Sequence, residues 1–499
     1  MLFVCACGGS APPLKPPPPP PAPIAWKPVA PPPEPAPVTS DAPFRERAPA
    51  SGPQVAFVPP KIEETKLKNG IRVLLVERHD LPVVSVRIVL KNGASDVAGV
   101  RSEVITFMGA MLEQGTKKKS ALEISDDWEA IGATHGAFVS QDSGGAYAKV
   151  IAQEIDRALE LLSDVVQNPS FSEAEIDRLK TRWIGSAQQQ KSHPGALAQS
   201  ALVASLFGPQ HPYGVSPILK EEQIKRITRA EIADAYARMF TAGNTAICVA
   251  GDVTRDALLP KLESAFGAWR GHSPARTKIL APVRSKADAP RIVLVDRPRA
   301  QQTQVLLAEV GVPWSTPDRD AVTVMNAILG GMFSSRINLN LREKHAYTYG
   351  ARSWFSMRHG AGPFGAGGAI FHEKTAAAIH ELLAEVSAIR DKEVTDEELV
   401  GARESIKLAM PARFETVSAV TEALGDLVVY DMPLDEYEKR PARIDAVTAA
   451  LVKRAAEAHL HPRQMRVIVV GDRKALGAAL ETLHLGAAEV RDAYGDLVK

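Results

Sequence analysis

The sequence predicts an α/β fold built from two copies of one unit of about 220 residues, set behind a segment of different character. Three observations predict it. From residue 61 onward, strand-like alternation gives way to capped helical patterns. The same plan then recurs downstream at a nearly constant offset. The first 60 residues, in contrast, hold 20 of the chain's 38 prolines, including an unbroken Pro16 to Pro21. The expected organisation is 1–60 as a terminal segment and stalk, 61–280 as the first copy and 281–499 as the second.

The proline-rich segment carries too little apolar surface to fold and reads as an extended, polyproline-like spacer. Before it stands "MLFVCACGGS". Cys5, Cys7 and Cys248 are the only cysteines, too few for a disulfide framework. Val4-Cys5-Ala6-Cys7 resembles the bacterial lipobox, with Cys7 as the lipidated residue and Leu2-Phe3-Val4 as the end of the apolar region. No charged region precedes it here, leaving room for a start upstream of Met1. The competing reading is a Cys-x-Cys metal or redox pair. The lipobox places the protein in the cell envelope, periplasmic and lipid-anchored to a membrane.

Ile71 to Glu77 and Val83 to Leu90 read as strands joined by the turn residues "RHDLP". In the second, Val84, Val86, Ile88 and Leu90 share one face, and Ser85 and Arg87 the other. Helical patterns follow: one after Ala98, Ser120 to Ile131, Glu154 to Val166, and one from Ser172. Ser120…Glu123 and Ser172…Glu175 have capping-box spacing. A strand "TAICVAGD" then feeds a helix after Thr254. Downstream, "VTDEELVGAR" at 394 answers "FSEAEIDRLK" at 171, and "VIVVGDRKALGAALE" at 467 answers "ICVAGDVTRDALLPKLE" at 247. Agreement over a strand, its Gly-Asp and a helix indicates an internal duplication, with the join near "RSKADAPR" at 284 to 291.

A net charge of +1 and 6% aromatics carry no sign of a nucleic-acid partner. Lys117-Lys118-Lys119 follows a Gly-Thr turn and reads as a solvated loop. No apolar run approaches the roughly 20 residues that span a bilayer.

Several stretches carry a family resemblance. "ETKLKNGIRVLLVERHDLPVVSVRIVLKNGASDVAG" at the entry, "HPYG" at 211, "VAGDV" at 249 and "LGGMFSSRINLNLREKHAYTYG" at 329 resemble the insulinase/pitrilysin-type zinc metallopeptidases. The resemblance runs from about residue 62 to the end. It implies that each unit is an antiparallel-rich sheet backed by helices. It also implies that two units form a half-shell, and that two half-shells enclose a peptide chamber. Active members carry His-x-x-Glu-His on the helix after the entry motif. Its two histidines bind zinc, its glutamate activates the bound water, and a downstream glutamate is the third ligand.

Anchored on Gly115-Thr116, those positions fall on Thr106, Phe107, Met108, Gly109 and Ala110, none of which is a ligand or base. Leu179 is aligned to the downstream ligand and Ser186 to its supporting acid. No two histidines stand four apart. His372, His380, His459 and His461 read as surface or capping residues, and Glu103 and Glu113 flank the helix without a nitrogen partner. The expectation is a chain without catalytic residues or a zinc cofactor, whose helix persists because Val104, Ile105, Met108, Met111 and Leu112 pack on the sheet.

The second copy keeps the family's arginine and, seven residues on, its tyrosine: Arg342 and Tyr349. The resemblance gives them contact with a substrate carbonyl across the chamber; the plainer reading pairs Arg342 with a nearby acid and packs Tyr349 at a strand start. Gly330-Gly331 is expected to form a tight turn. Two functional classes follow. One is a non-catalytic lipoprotein subunit pairing with a chain that bears intact His-x-x-Glu-His; the other is a scaffold or peptide-binding protein. An active zinc peptidase would need a metal site that the sequence does not supply.

Overall fold

Val84, Val86, Ile88 and Leu90 do face one core, but Ser85 and Arg87 on the reverse side do not face solvent: they meet a helix from the far half of the chain. That double coverage organises the molecule. The computed structural model describes residues 57–276, 278–279, 282 and 291–498, and both sheets belong to one compact unit. Cys5, Cys7, the proline stalk and residues 284–290 of the expected join lie outside the described residues.

In the first half, strands β1 (Glu63–Lys66), β2 (Arg72–Glu77), β3 (Val83–Leu90), β4 (Thr134–Val139), β5 (Gly144–Ile151) and β6 (Thr245–Gly251) form one sheet. Its order is β1-β2-β6-β3-β5-β4. The helices are α1 (Ser102–Met111), α2 (Ala121–Ala130), α3 (Ile155–Gln167), α4 (Glu173–Gln190), α5 (Pro194–Leu206), α6 (Glu221–Lys225), α7 (Arg229–Met239) and α8 (Arg255–Phe266). The turn after β2 does not close a hairpin, because β6 inserts between β2 and β3, parallel to the first and antiparallel to the second. Ser120 caps α2 in a reciprocal box with Glu123. Ser172 caps α4 through the Glu175 N–H alone, since the Glu175 carboxylate is held by Arg178.

The second half repeats the plan with β7 (Arg291–Asp296), β8 (Gln302–Val310), β9 (Thr348–Phe355), β10 (Pro363–Phe371), β11 (Arg466–Gly471) and β12 (Glu489–Arg491), in the order β12-β7-β11-β8-β10-β9. Its helices are α9 (Arg319–Asn326), α10 (Arg336–Asn338), α11 (Thr375–Asp391), α12 (Asp396–Leu408), α13 (Val417–Val429), α14 (Glu436–Asp445), α15 (Ala449–His459) and α16 (Arg473–Glu481). Each half is thus an antiparallel-rich sheet backed by helices. The outer strand differs: β1 runs antiparallel to β2, whereas β12 comes from the C-terminal end and runs parallel to β7.

Each half has its own core on one sheet face, and each lends a helix to the other's second face. Val420, Ala423, Leu424 and Leu427 of α13 pack on Leu74, Val76, Val89 and Cys248 of the first sheet. Leu197, Ala201 and Leu202 of α5 pack on Val293, Leu306, Ala308 and Ile468 of the second. The two donated helices stand 223 residues apart, as the duplication requires. Cys248 lies fully buried at this seam, and burial pushes its thiol up to about 12, so it is unreactive.

A buried polar cluster completes the joint. His359 Nε2 donates to the Val429 carbonyl (2.9 Å), while Nδ1 lies 3.3 Å from Asp96 Oδ2 and 3.9 Å from Asp142 Oδ1. Acceptors at both nitrogens favour the doubly protonated ring. Tyr213 and Tyr430 both donate to Asp142 (3.2 and 3.3 Å), and the Gly360 N–H donates to the Tyr213 oxygen (2.9 Å). Burial acts to lower the His359 pKa, but the Asp96 hydrogen bond, the Asp142 charge and the Val429 carbonyl outweigh it, and the value is raised.

Two predictions follow from these contacts. Leu202→Ala and Leu424→Ala, each emptying a fully buried site, should each cost about 2–5 kcal/mol. Both should lower a single denaturation transition shared by the two halves; separate transitions for the halves would show that the exchanged helices do not couple them. A raised histidine adds stability that is complete below about pH 6.5 and is lost as pH rises through the folded value. The melting temperature should therefore decline on that alkaline side, and His359→Gln should lower the acid-side value and flatten the decline.

Candidate functional site

Helix α1 packs as its apolar pattern requires: Val104, Ile105, Phe107, Met108, Met111 and Leu112 are all fully buried. Its remaining face looks onto a hollow of about 300 Å³. Thr106 stands there, exposed, with its hydroxyl donating back to the Ser102 carbonyl (3.0 Å). Glu103 lies beside it and is held by Arg101 (2.9 Å). From α4, Trp183 and Ser186 line the same hollow, and the Trp183 ring meets Phe107 edge-on at 4.9 Å. Leu179 does not reach it, being 3% exposed within the core. The position on α4 that faces Thr106 is therefore Ser186, and the expected order of Leu179 and Ser186 is reversed.

Gly109 is buried where α1 crosses β4. A Cβ there would lie 2.8 Å from Val139 Cγ2 and 2.9 Å from the Val139 backbone nitrogen. Only glycine fits that approach, which accounts for a residue that otherwise costs a helix about 1 kcal/mol relative to alanine. Ala110 is half-buried against the core. Glu113, like Glu103, does have a nitrogen partner, contrary to expectation: His135 Nδ1 of β4, at 2.6 Å, with the ring stacked on Trp128. His459 and His461 likewise form pairs, with Asp318 (2.7 Å) and Glu309 (2.9 Å).

A second hollow, of about 720 Å³, lies on the second sheet. Gln190 lines the first hollow, and Gly195 and Gln199, just beyond the α4–α5 corner, line this one. Arg342 sits in a π-helical turn (Leu339–Lys344), half-exposed, 3.2 Å from its neighbour Glu343 and 4.7 Å over the Phe333 ring. Tyr349 is the second residue of the edge strand β9 and is 85% exposed, so it does not pack at the strand start. Gly330 and Gly331 end another π-helical turn, and neither has positive φ. A Cβ on Gly330 would meet the Ser353 nitrogen at 2.3 Å, so close approach to β9 explains that residue.

The profile described as "Insulinase (Peptidase family M16)" matches residues 72–211, and that described as "Peptidase M16 inactive domain" matches 226–406. The chain belongs to peptidase family M16. Among solved structures, it is similar to a peptidase M16 inactive domain from Pseudomonas fluorescens, with a TM-score of 0.75 and 26% identity, covering 82% of this chain and 98% of that one. It is 24% identical to an uncharacterized zinc protease of Rickettsia felis over 72% of this chain and 86% of that protein. It is also 25% identical to the mouse mitochondrial-processing peptidase subunit beta over 86% and 88%.

Zinc, which family M16 implies, does not fit α1. Thr106, Gly109 and Ala110 supply neither a ligand nitrogen nor a carboxylate, and Ser186 offers only a hydroxyl. Among the described residues, no group of three or more His, Cys, Asp or Glu could hold a metal ion. The base position is also sterically closed, because a glutamate at 109 would have to displace β4. Gly109→Ala, which would gain about 1 kcal/mol in an open helix, should instead destabilise the protein, and Gly109→Glu should cost about 1–3 kcal/mol or more through overpacking. Chemical denaturation measures both; a stabilised Gly109→Ala would show that the helix has room.

Proposed function

We propose that this chain is a non-catalytic subunit of a two-chain peptidase. In this reading it pairs with a zinc-bearing M16 chain, contributes half of the peptide chamber, and contacts substrate through Arg342 and Tyr349. The observation that carries the reading is Tyr349. A large aromatic at 85% exposure, next in the chain to Gly350 of the second hollow, gains little from its own fold and suits a surface that another molecule completes. The erased metal positions on α1 support the same division of labour. One similarity is consistent with it, since mitochondrial-processing peptidase subunit beta is by name part of a multi-subunit peptidase.

In such a pair the partner would hold the zinc, which would supply Lewis-acid chemistry there, while this chain would contribute donors to the scissile carbonyl oxygen. Guanidinium and phenol donors then serve that oxygen, with most effect where water is excluded. The pair that co-purifies with the detergent-solubilised protein should lose about 10²–10³ in turnover with Arg342→Ala or Tyr349→Phe. Its assembly and the melting temperature of this chain should change little. Arg342→Lys should rescue poorly, because an ammonium lacks the planar fork. Full activity in both variants would leave the residues without this role and favour a scaffold.

The same proposal anchors the protein in the cell envelope through a lipid on Cys7. About 45 stalk residues at roughly 3.1 Å each could hold the body up to ~140 Å from the membrane. Metabolic palmitate should label the wild type and not Cys7→Ala, which should also leave the membrane fraction; label retained by the variant contradicts the anchor.

A further inference from the structure

We infer that the hollow on the second sheet is a binding site for a peptide carboxylate, with Arg352 as the residue that selects it. Helix α5 covers this sheet over β7, β11 and β8 but stops short of β10 and β9. In register, Leu306, Gly367 and Arg352 lie side by side across three strands, so Arg352 stands on the same face that α5 covers further along. Beyond the helix the floor is built of Gly350, Gly367 and Ala369, whose absent or single-methyl side chains leave the space open. A Cβ on Gly367 would lie 2.0 Å from the Val305 carbonyl oxygen, so the pairing with β8 admits only glycine there.

The charge of the lining is one-sided. Among the described residues, Arg342 and Arg352 are the charged ones in its lining, and no carboxylate lines it. Arg342 has one acidic neighbour, Glu343, which points from the rim and is half in solvent. Arg352 is exposed and has no ion-pair partner among the described residues. Two guanidinium groups over a bare, concave floor favour an anion with planar oxygens, and a carboxylate matches the guanidinium fork. Phe333 and Trp354 on the walls give an adjoining apolar residue a surface. The ligand is therefore a peptide that presents a carboxylate beside an apolar side chain. That carboxylate comes either from Asp or Glu or from the C-terminus.

This deepens the reading of Arg342 as a substrate contact and rests on it for that residue. The test uses this chain alone, so the absence of a catalytic partner would not affect it. Fluorescence anisotropy would compare three fluorescein-labelled octapeptides: an amidated one with a single Asp-Leu step in a Gly/Ser background, its Asn-Leu counterpart, and an amide-free one ending in Leu. The Asp peptide, the free-terminus peptide, or both should bind about fivefold to tenfold more tightly than the amidated Asn peptide. The one that does so identifies the source of the carboxylate. The preference should shrink with added salt and vanish in Arg352→Gln. Gly350→Leu gives a second route, since a Cβ there meets only Asn338 Oδ1, at 3.7 Å, and the side chain would fill the hollow without disturbing the sheet; it should abolish binding. Equal affinity for all three peptides, or a preference that survives Arg352→Gln in a folded protein, would overturn the inference.

Discussion

Each sheet in this protein is closed on its second face by a helix from the other half, and the rest of the architecture depends on that exchange. Without those helices, the reverse faces of strands such as β3 and β8, which carry Val89 and Leu306 with Ala308, would be left to water. Helices α13 and α5 cover those reverse sides, so the central strands are buried on both faces and the halves share their cores. At about 25 cal/mol per Å² of apolar surface, such seams outweigh any surface ion pair. The polar contacts placed there, Ser85 with Thr421 and His359 with Asp96, act mainly to fix register and orientation.

That fixed frame explains how α1 holds its place with no ligand residue on its open side. The buried side of α1 is set by the sheet and by β4, and it keeps every apolar position. The other side looks into a hollow, and nothing in the packing demands histidine there. Loss of a ligand on that side costs no stability. Once Gly109 lets β4 close in, the base position cannot be refilled cheaply. The second half carries the opposite pattern. Arg342 lines an open hollow rich in glycine and Tyr349 is exposed, so the core explains neither residue.

Much of the fold was legible in the sequence because its signals are local. The alternation of β3, the Ser120 capping box and the duplicated Gly-Asp at the ends of β6 and β11 all act within a few residues. Strand order was not legible, because β6 pairs with β2 and β3 from about 170 residues away and no local pattern specifies that. What covers Ser85 and Arg87 was not legible for the same reason, since their cover comes from α13. At the site, Leu179 and Ser186 are seven residues apart on one helix face, so spacing alone could not decide which meets Thr106. His135 escaped notice because its partner Glu113 lies on another element, and only the β4 crossing brings them together.

The central claim is that α1 is a structural helix without metal chemistry of its own. The most direct measurement is metal content of the purified full-length chain by elemental analysis, taken together with peptide cleavage before and after chelation. The account predicts far less than one zinc per chain and no cleavage by the chain alone. About one zinc per chain, removed by chelator together with peptidase activity, would contradict it.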